Sequence, residues 1–284
     1  MNRYLSLIKF SHTIFAMPFA IIGFFLASQK YSYDWGNLLY IILCMIFARS
    51  AAMAFNRYID RDIDAINKRT ANTREIPKGN IKPKNAMYFV IVNCLLFTAT
   101  TYLLNNLCFY LSPIALLIIL GYSYTKRFTS LCHVILGLGL SLSPIGAYLA
   151  VSNSFDLLPI LFSLVVICWV SGFDIIYSLQ DKEFDESQNL YSIPVLMGNQ
   201  KAILTSRILH TITFFILVTI GIIYSFQIYY WIGTMIFISL LISQHYLITP
   251  INLDKINIVF FTTNGIASVI LAIFIIIDLV TQSL

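Results

Sequence analysis

The sequence predicts an all-α, polytopic membrane protein of nine transmembrane helices, and three observations predict it. Only 11% of the 284 residues are charged against 58% hydrophobic, with a mean hydropathy of +0.81. A soluble chain carries about a quarter charged residues, so there is too little polar surface here to cover a water-exposed globule. Apolar runs recur at close to the roughly 20 residues that a bilayer span requires. Lys and Arg collect in alternate connections, as a chain threaded back and forth through a membrane demands.

In order, the runs cover 12–29, 38–55, 86–104, 107–123, 131–151, 157–179, 202–225, 229–248 and 257–280, the fourth being the shortest. The first follows Arg3 and Lys9, as the core of a signal peptide would, but it is long and eight more spans follow, so it reads as a retained helix. With the N-terminus inside, the inner side receives nearly all the Lys and Arg, whereas the outer loops, "YLLNNLCF", "SNSFD" and "FQIYYW" among them, hold only Lys30. The expected location is therefore the inner (cytoplasmic) membrane, with the N-terminus and the polar loops on the cytoplasmic side. The net charge of +5 expresses that orientation and an attraction to anionic headgroups. No basic extramembrane domain is present to bind nucleic acid.

Five cysteines (Cys44, Cys94, Cys108, Cys132, Cys168) sit singly in apolar segments without a ligand spacing, and read as packing residues. Only two loops are long and polar, 56–85 and 180–200. They lie four helices apart, and each begins with acidic residues as a span ends. That pattern suggests an internal duplication, two four-helix units plus a ninth helix, within one domain covering 1–284.

The chemistry lies at these two ends. In "FNRYIDRDIDAINKRTANTREIP", Asn56, Asp60 and Asp64 are spaced by four, and each such step drifts only about 40° around a helix, so their side chains form one row. In "FDIIYSLQDKEFDES", Asp174, Asp181 and Asp185 follow at steps of seven and four, again on one face. Carboxylates so arranged at a membrane boundary repel unless a cation lies between them. An all-oxygen set without His or Cys favours Mg2+, which commonly bridges carboxylates and phosphate oxygens. The competing reading makes them ordinary ion pairs with Arg57, Arg61, Arg69 and Lys182 on a solvated face.

Cationic partners for a diphosphate are at hand. Tyr122 and Lys126 in "GYSYTKRF" stand at i, i+4 and offer a phenol and an ammonium to phosphate oxygens, or else serve as an interfacial aromatic and a positive-inside Lys. Arg69 and Arg74 either reach over the same site or are loop cations. Arg49 sits inside an apolar span, two turns before Asn56 and on the same face. At that depth it needs a partner, either an acid of the row or the carboxylate of a bound substrate. His12 reads as an interfacial packing residue, and His133, His210 and His245 bear no spacing relation to any motif.

These residues resemble the UbiA superfamily of intramembrane aromatic prenyltransferases: N-x-x-x-D-x-x-x-D at Asn56, Asp60 and Asp64, D-x-x-x-D at Asp181 and Asp185, and Y-x-x-x-K at Tyr122 and Lys126. "DIIYSLQDKEFD", "RTANTREIPKG" and "IKFSHTIFAMPFA" are most similar to the 4-hydroxybenzoate polyprenyltransferases and their relatives in menaquinone synthesis, and the likeness covers essentially the whole chain. It implies nine helices around a central cavity and transfer of a long isoprenyl chain from polyprenyl diphosphate to a small aromatic acid in quinone synthesis. It implies Mg2+ held by Asn56, Asp60, Asp64, Asp181 and Asp185 with Asp174 in support, diphosphate held by Tyr122, Lys126, Arg69 and Arg74, and the aromatic acid placed by Arg49 and Asn56. Catalysis would fall to Asp60, Asp64, Asp181, Asp185 and Lys126. Some members carry an N-terminal arginine near the acceptor, where this chain offers only Lys9 and His12.

Three alternatives compete. The acceptor is instead a dihydroxynaphthoate-type or futalosine-derived ring of menaquinone synthesis, or a haem or chlorin precursor. A CDP-alcohol phosphotransferase would need D-G-x-x-A-R and G-x-x-x-D-x-x-x-D elements, which are absent. An ion-coupled transporter would need acids near mid-membrane, whereas these cluster at one boundary.

Overall fold

The computed structural model describes residues 2–8, 15–31, 33–249, 253 and 255–282; Lys9 and His12 lie outside them. A short helix, α1 (Asn2–Ile8), precedes α2 (Met17–Ser28) and α3 (Trp35–Ile59). Two short helices follow, α4 (Arg61–Ile66) and α5 (Lys68–Ala71), before α6 (Pro83–Leu104), α7 (Asn106–Thr125), α8 (Cys132–Ser152) and α9 (Leu157–Ser178). The chain continues through α10 (Lys182–Ser187), α11 (Ile193–Ile223), α12 (Ile228–Leu247), α13 (Ile256–Ile258) and α14 (Asn264–Gln282). Eight helices of the described residues are long and apolar enough to cross a membrane, and the shorter α2 completes the predicted nine.

Local chemistry sets the helix ends. The Asp34 and Asp156 carboxylates accept the first free amides of α3 and α9, and Ser192 does the same for α11. Asn105 caps α7 through Cys108 N and turns its amide to the Leu149 and Ala150 carbonyls (2.8 and 3.1 Å), tying the α6–α7 turn to the end of α8. Asp156 also accepts from Lys30 and from the Tyr148 hydroxyl, which closes the same end of the bundle. Helix α11 begins nine residues before the expected 202, because Ser192 and Pro194 start it and the chain then bends at Gly198, whose φ of 76° is open to glycine.

The long helices form a closed circuit. Each packs on the next, and α14 returns to α2. Helix α2 also runs along α8, inside the circuit. At the centre, Trp169 meets Phe19, Phe173 and Phe237 at ring distances of 5.4, 5.1 and 5.7 Å. Its indole N–H donates to Asn264 Oδ1 (3.1 Å), which also accepts from Gln244 Nε2 (2.8 Å). The Asn264 amide in turn donates to the Val259 and Phe260 carbonyls, which a π-helical turn at Val259–Thr263 leaves available. On the other side, α1 is fastened by Ser6, whose hydroxyl donates to Glu75 (2.6 Å); this bond and one from Asn80 hold the Glu75 carboxyl below its ordinary pKa.

Small residues allow the helices to approach, since lipid supplies no hydrophobic force to draw them together. Gly137 is a point of close approach between α8 and α9: a Cβ there would lie 2.7 Å from both the Ile167 carbonyl oxygen and Ser171 Oγ. Gly137→Ala should therefore lower the unfolding midpoint in detergent, read by scanning fluorimetry. Gly121→Ala, where a Cβ meets nothing within 4 Å, should leave it unchanged or raise it slightly.

Candidate active site

Both acidic stretches are built alike. Helix α3 ends at Ile59, and Asp60 (φ −88°, ψ 4°) bends the chain into the six residues of α4. A 3₁₀ turn at Leu179–Asp181 ends the α9 segment, and Asp181 (φ −102°, ψ 0°) bends it into the six residues of α10. Neither row is thus one unbroken helix, as the spacing alone suggested. The first nevertheless survives its bend, because Asp60 N bonds Asn56 O (2.9 Å) and Asp64 N bonds Asp60 O (2.7 Å), keeping the i, i+4 register.

Every site residue named above, from Arg49 to Asp185, lines one cavity of about 260 Å³ at this end of the bundle. The acids do not stand alone in it. Asp60 is buried and accepts from Lys126 Nζ (2.9 Å), Arg127 Nη2 (3.0 Å) and Asn56 Nδ2 (3.1 Å). Asp181 is gripped by both nitrogens of the Arg69 fork (2.9 and 2.6 Å), and Arg69 also reaches the Tyr177 hydroxyl (3.2 Å). Asn67 adds a long bond to Asp181 (3.5 Å), so the loop after α3 crosses the cavity to the second acidic end. Of the ion pairs considered from sequence, Arg69 takes Asp181 and Arg61 takes exposed Asp62 (3.5 Å). Arg57 and Lys182 pair with no acid among the described residues.

Asp174 has a partner that the spacing did not reveal. Its Oδ2 lies 2.7 Å from Nδ1 of buried His133, whose Nε2 accepts the Ile193 backbone N–H (3.3 Å). A carboxylate oxygen can only accept, so the imidazole carries a proton on Nδ1 and donates it to Asp174. One Asp174 oxygen is committed to this bond. Asp185, on α10, forms no hydrogen bond or ion pair through its carboxylate with the described residues.

Several charged groups in the cavity are incompletely satisfied. Asp64 Oδ2, Arg49 Nε, Arg57 Nε and Arg74 Nη1 are buried without a hydrogen-bond partner. Arg49 pairs with no acid of the row, which removes one of the two partners considered for it. Arg57, which sequence reasoning did not select for the site, donates to Asn56 Oδ1 (2.7 Å). Burial and the neighbouring Arg57 depress the Arg74 guanidinium to a pKa of about 10, still cationic at neutral pH. Buried guanidinium N–H groups left unmatched fit a multiply charged anion. The acids supply oxygen donors alone, and the partnerless Asp64 oxygen fits a hard divalent cation. Among the described residues, no three carboxylate, imidazole or thiol groups already converge into a ligand set.

A second cavity, of about 320 Å³, adjoins the first and shares Arg49, Tyr122, Leu136 and Leu140 with it. Away from that junction its wall is overwhelmingly apolar, running past Met45, Phe97, Cys108 and Leu111 toward Phe155. Tyr122 stands at the junction, its hydroxyl hydrogen-bonded to no described residue. Polar and apolar compartments therefore meet at one Tyr and one Arg.

Comparison with known proteins gives this arrangement a context. Residues 16–266 match the model of the UbiA prenyltransferase family. The 4-hydroxybenzoate octaprenyltransferase of Aeromonas salmonicida (strain A449) is 31% identical over 216 residues, which is 76% of this chain and 74% of that protein. The enzyme of the same name from Francisella tularensis subsp. novicida (strain U112) is 28% identical over 75% of each. The solved apo structure of a UbiA homolog from Aeropyrum pernix K1 superposes with a TM-score of 0.82 at 28% identity, covering 96% of this chain and 98% of that one. A UbiA homolog from Archaeoglobus fulgidus, solved with GPP and Mg2+, shares the fold at a TM-score of 0.73 and 19% identity, over 98% and 99% of the two chains. With a family match spanning most of its length and a polar cavity that opens into an apolar one, the chain belongs to the UbiA prenyltransferase family and is an integral, multi-pass membrane prenyltransferase.

Proposed function

We propose that this prenyltransferase carries a long isoprenyl chain from polyprenyl diphosphate to the ring of a small aromatic acid of the 4-hydroxybenzoate type, in quinone synthesis. The observation that carries the reading is the junction at Arg49 and Tyr122. A cavity lined by cations and acids on one side fits a diphosphate and a carboxylate, and an apolar cavity on the other fits an isoprenyl chain. The names of the curated relatives support the acceptor class, and the GPP and Mg2+ bound by the Archaeoglobus fulgidus homolog support the donor and the metal. The distribution of Lys and Arg supports a cytoplasmic position for the acidic end.

Asn56, Asp60, Asp64, Asp181 and Asp185 would hold Mg2+, with the uncommitted oxygen of Asp174 in support. Bound there, the metal would neutralise the diphosphate and stabilise it as a leaving group. Lys126, Arg69, Arg74 and Tyr122 hold diphosphate oxygens while the allylic C–O bond breaks, and these preplaced charges supply the main catalytic term. The apolar wall from Leu140 to Phe97 excludes the water that would otherwise capture the allylic cation. Arg49, assisted by Asn56, orients the aromatic acid through its carboxylate, so that a ring carbon ortho to the phenol oxygen faces that cation. The ring then loses its proton to restore aromaticity.

Asp64→Asn should cost at least about a hundredfold in turnover, because it removes charge where leaving-group stabilisation is made. The same change should leave the melting temperature unchanged or higher, since it neutralises a buried carboxylate with a partnerless oxygen. Wild-type turnover in Asp64→Asn would refute the metal assignment.

For Arg49→Ala, the KM for the aromatic acid should rise about tenfold or more, as expected for one lost charge-assisted bond, with little change in the KM for the prenyl donor. A membrane-fraction assay with labelled isoprenyl diphosphate, offering 4-hydroxybenzoate and 1,4-dihydroxy-6-naphthoate separately, tests the whole reading. Magnesium-dependent transfer to 4-hydroxybenzoate alone is expected, abolished by chelator. Transfer to the naphthoate alone would move the enzyme to menaquinone synthesis, and transfer to neither would reject both acceptors.

A further inference from the structure

Two of the acids that the proposed function assigns to the metal, Asp60 and Asp181, are already occupied by the protein's own cations. Both Asp60 oxygens are engaged, Oδ1 by Arg127 and Oδ2 by Lys126 and Asn56. Both Asp181 oxygens are engaged by the two arms of Arg69. A divalent ion that takes either carboxylate competes with these groups for its oxygens, and must displace one of them to bind both. The three cations differ in what else holds them. Arg127 donates to the main-chain carbonyls of Ser123 (3.0 Å) and Ile59 (3.0 Å) and is anchored whatever happens at Asp60. The Lys126 ammonium forms no other ion pair among the described residues, and the side chain of Arg69 is otherwise held by the Tyr177 hydroxyl and the face of its ring. Lys126 and Arg69 are the two that can leave.

We infer that Lys126 and Arg69 act as exchangeable stand-ins, neutralising Asp60 and Asp181 in the free enzyme and passing to the diphosphate when the metal takes those acids. The inference rests on the metal and diphosphate reading above. Charge balance couples the two ligands. Metal entering alone would bring two positive charges into a partly buried cavity whose five aspartates are already matched in number by Arg49, Arg57, Arg69, Arg74 and Lys126. Diphosphate entering alone finds Lys126 and Arg69 committed to carboxylates. Arriving together, metal and diphosphate exchange partners with the two ion pairs, and every charge is matched. Each ligand therefore strengthens the binding of the other, by the same factor in both directions. In the free enzyme Lys126 and Arg69 thus oppose stray metal at Asp60 and Asp181.

The exchange predicts effects of opposite sign on the two ligands, which general damage to the site would not produce. In detergent-solubilised Arg69→Gln, Mn2+ measured by electron paramagnetic resonance without diphosphate should bind about tenfold more tightly than to wild type, because Asp181 has been released. Labelled inorganic diphosphate, measured at a fixed Mn2+ concentration, should bind about tenfold more weakly. Lys126→Gln, which releases Asp60 Oδ2, should show the same opposed pair, and Arg69→Lys, which keeps a cation beside Asp181, should keep Mn2+ affinity near wild type. If wild type binds diphosphate in a Mn2+-dependent way but neither glutamine variant gains metal affinity, the exchange is overturned and the function stands. If wild type shows no Mn2+-dependent diphosphate binding, the reading of the site falls and the exchange with it.

Discussion

The constraint on which this molecule turns is the cost of holding carboxylates where an apolar bundle meets the membrane surface. Unpaired, each buried charge would cost several kcal/mol. The chain meets that cost by crossing the cavity: Arg69, from the loop after α3, clamps Asp181 beyond α9, while Lys126 and Arg127, from the end of α7, clamp Asp60 at the end of α3. The same bonds close the bundle at one end, as Lys30, Asp156 and Asn105 close it at the other. Fold and site thus share their strongest polar contacts at the acidic end. A change to Asp60 unsettles three donors at once, whereas Asp64 keeps a buried oxygen that no donor holds.

The two acidic ends carry this out with matched local geometry. Each long helix stops just before or at an aspartate with ψ near zero, and each restarts as a six-residue helix opened by a basic residue, Arg61 in one and Lys182 in the other. Beyond the bends at Asp60 and Asp181, the last carboxylate of each row, Asp64 or Asp185, still lines the cavity. That likeness, four helices apart, accords with the internal duplication suggested by the spacing of the two polar loops. The halves are not copies in their pairing: the first acid is held by cations from α7, the second by a cation from the first half's own loop.

Much of this was legible in the chain, for identifiable reasons. Span lengths follow from the bilayer, so the helices fall close to where hydropathy put them. The i, i+4 spacing of Asn56, Asp60 and Asp64 survives folding because backbone bonds bridge the bend. What stayed hidden are contacts between helices. In a soluble protein an amphipathic stripe marks the inward face, but here lipid-facing and core-facing surfaces are both apolar, and periodicity cannot say which side of α8 meets α9. His133 lies 41 positions from Asp174, and Arg127 lies 67 from Asp60. Neither distance leaves a local signal. Arg57 was in view only as a surface ion-pair partner; its burial beside Asn56 comes from the packing of α3.

The π-helical turn at Val259–Thr263 shows how far such hidden packing reaches into the site. A wide turn leaves carbonyls without their usual partners, and inside a membrane that is tolerable only if other groups satisfy them. Asn264 does so, and it is locked in place by Trp169 and Gln244 from two other helices. The turn carries Phe260 onto the ring of Tyr177, stacked at 3.9 Å, and edge-on to Phe173 at 5.3 Å. Tyr177 in turn presents its hydroxyl to Arg69 and its ring face to the same guanidinium. An amide in the bundle core thereby fixes the platform beneath a cation at the rim. In the proposed exchange, where Arg69 holds Asp181 in one state and a diphosphate in the other, this rigid aromatic support would keep both positions within reach of one side chain.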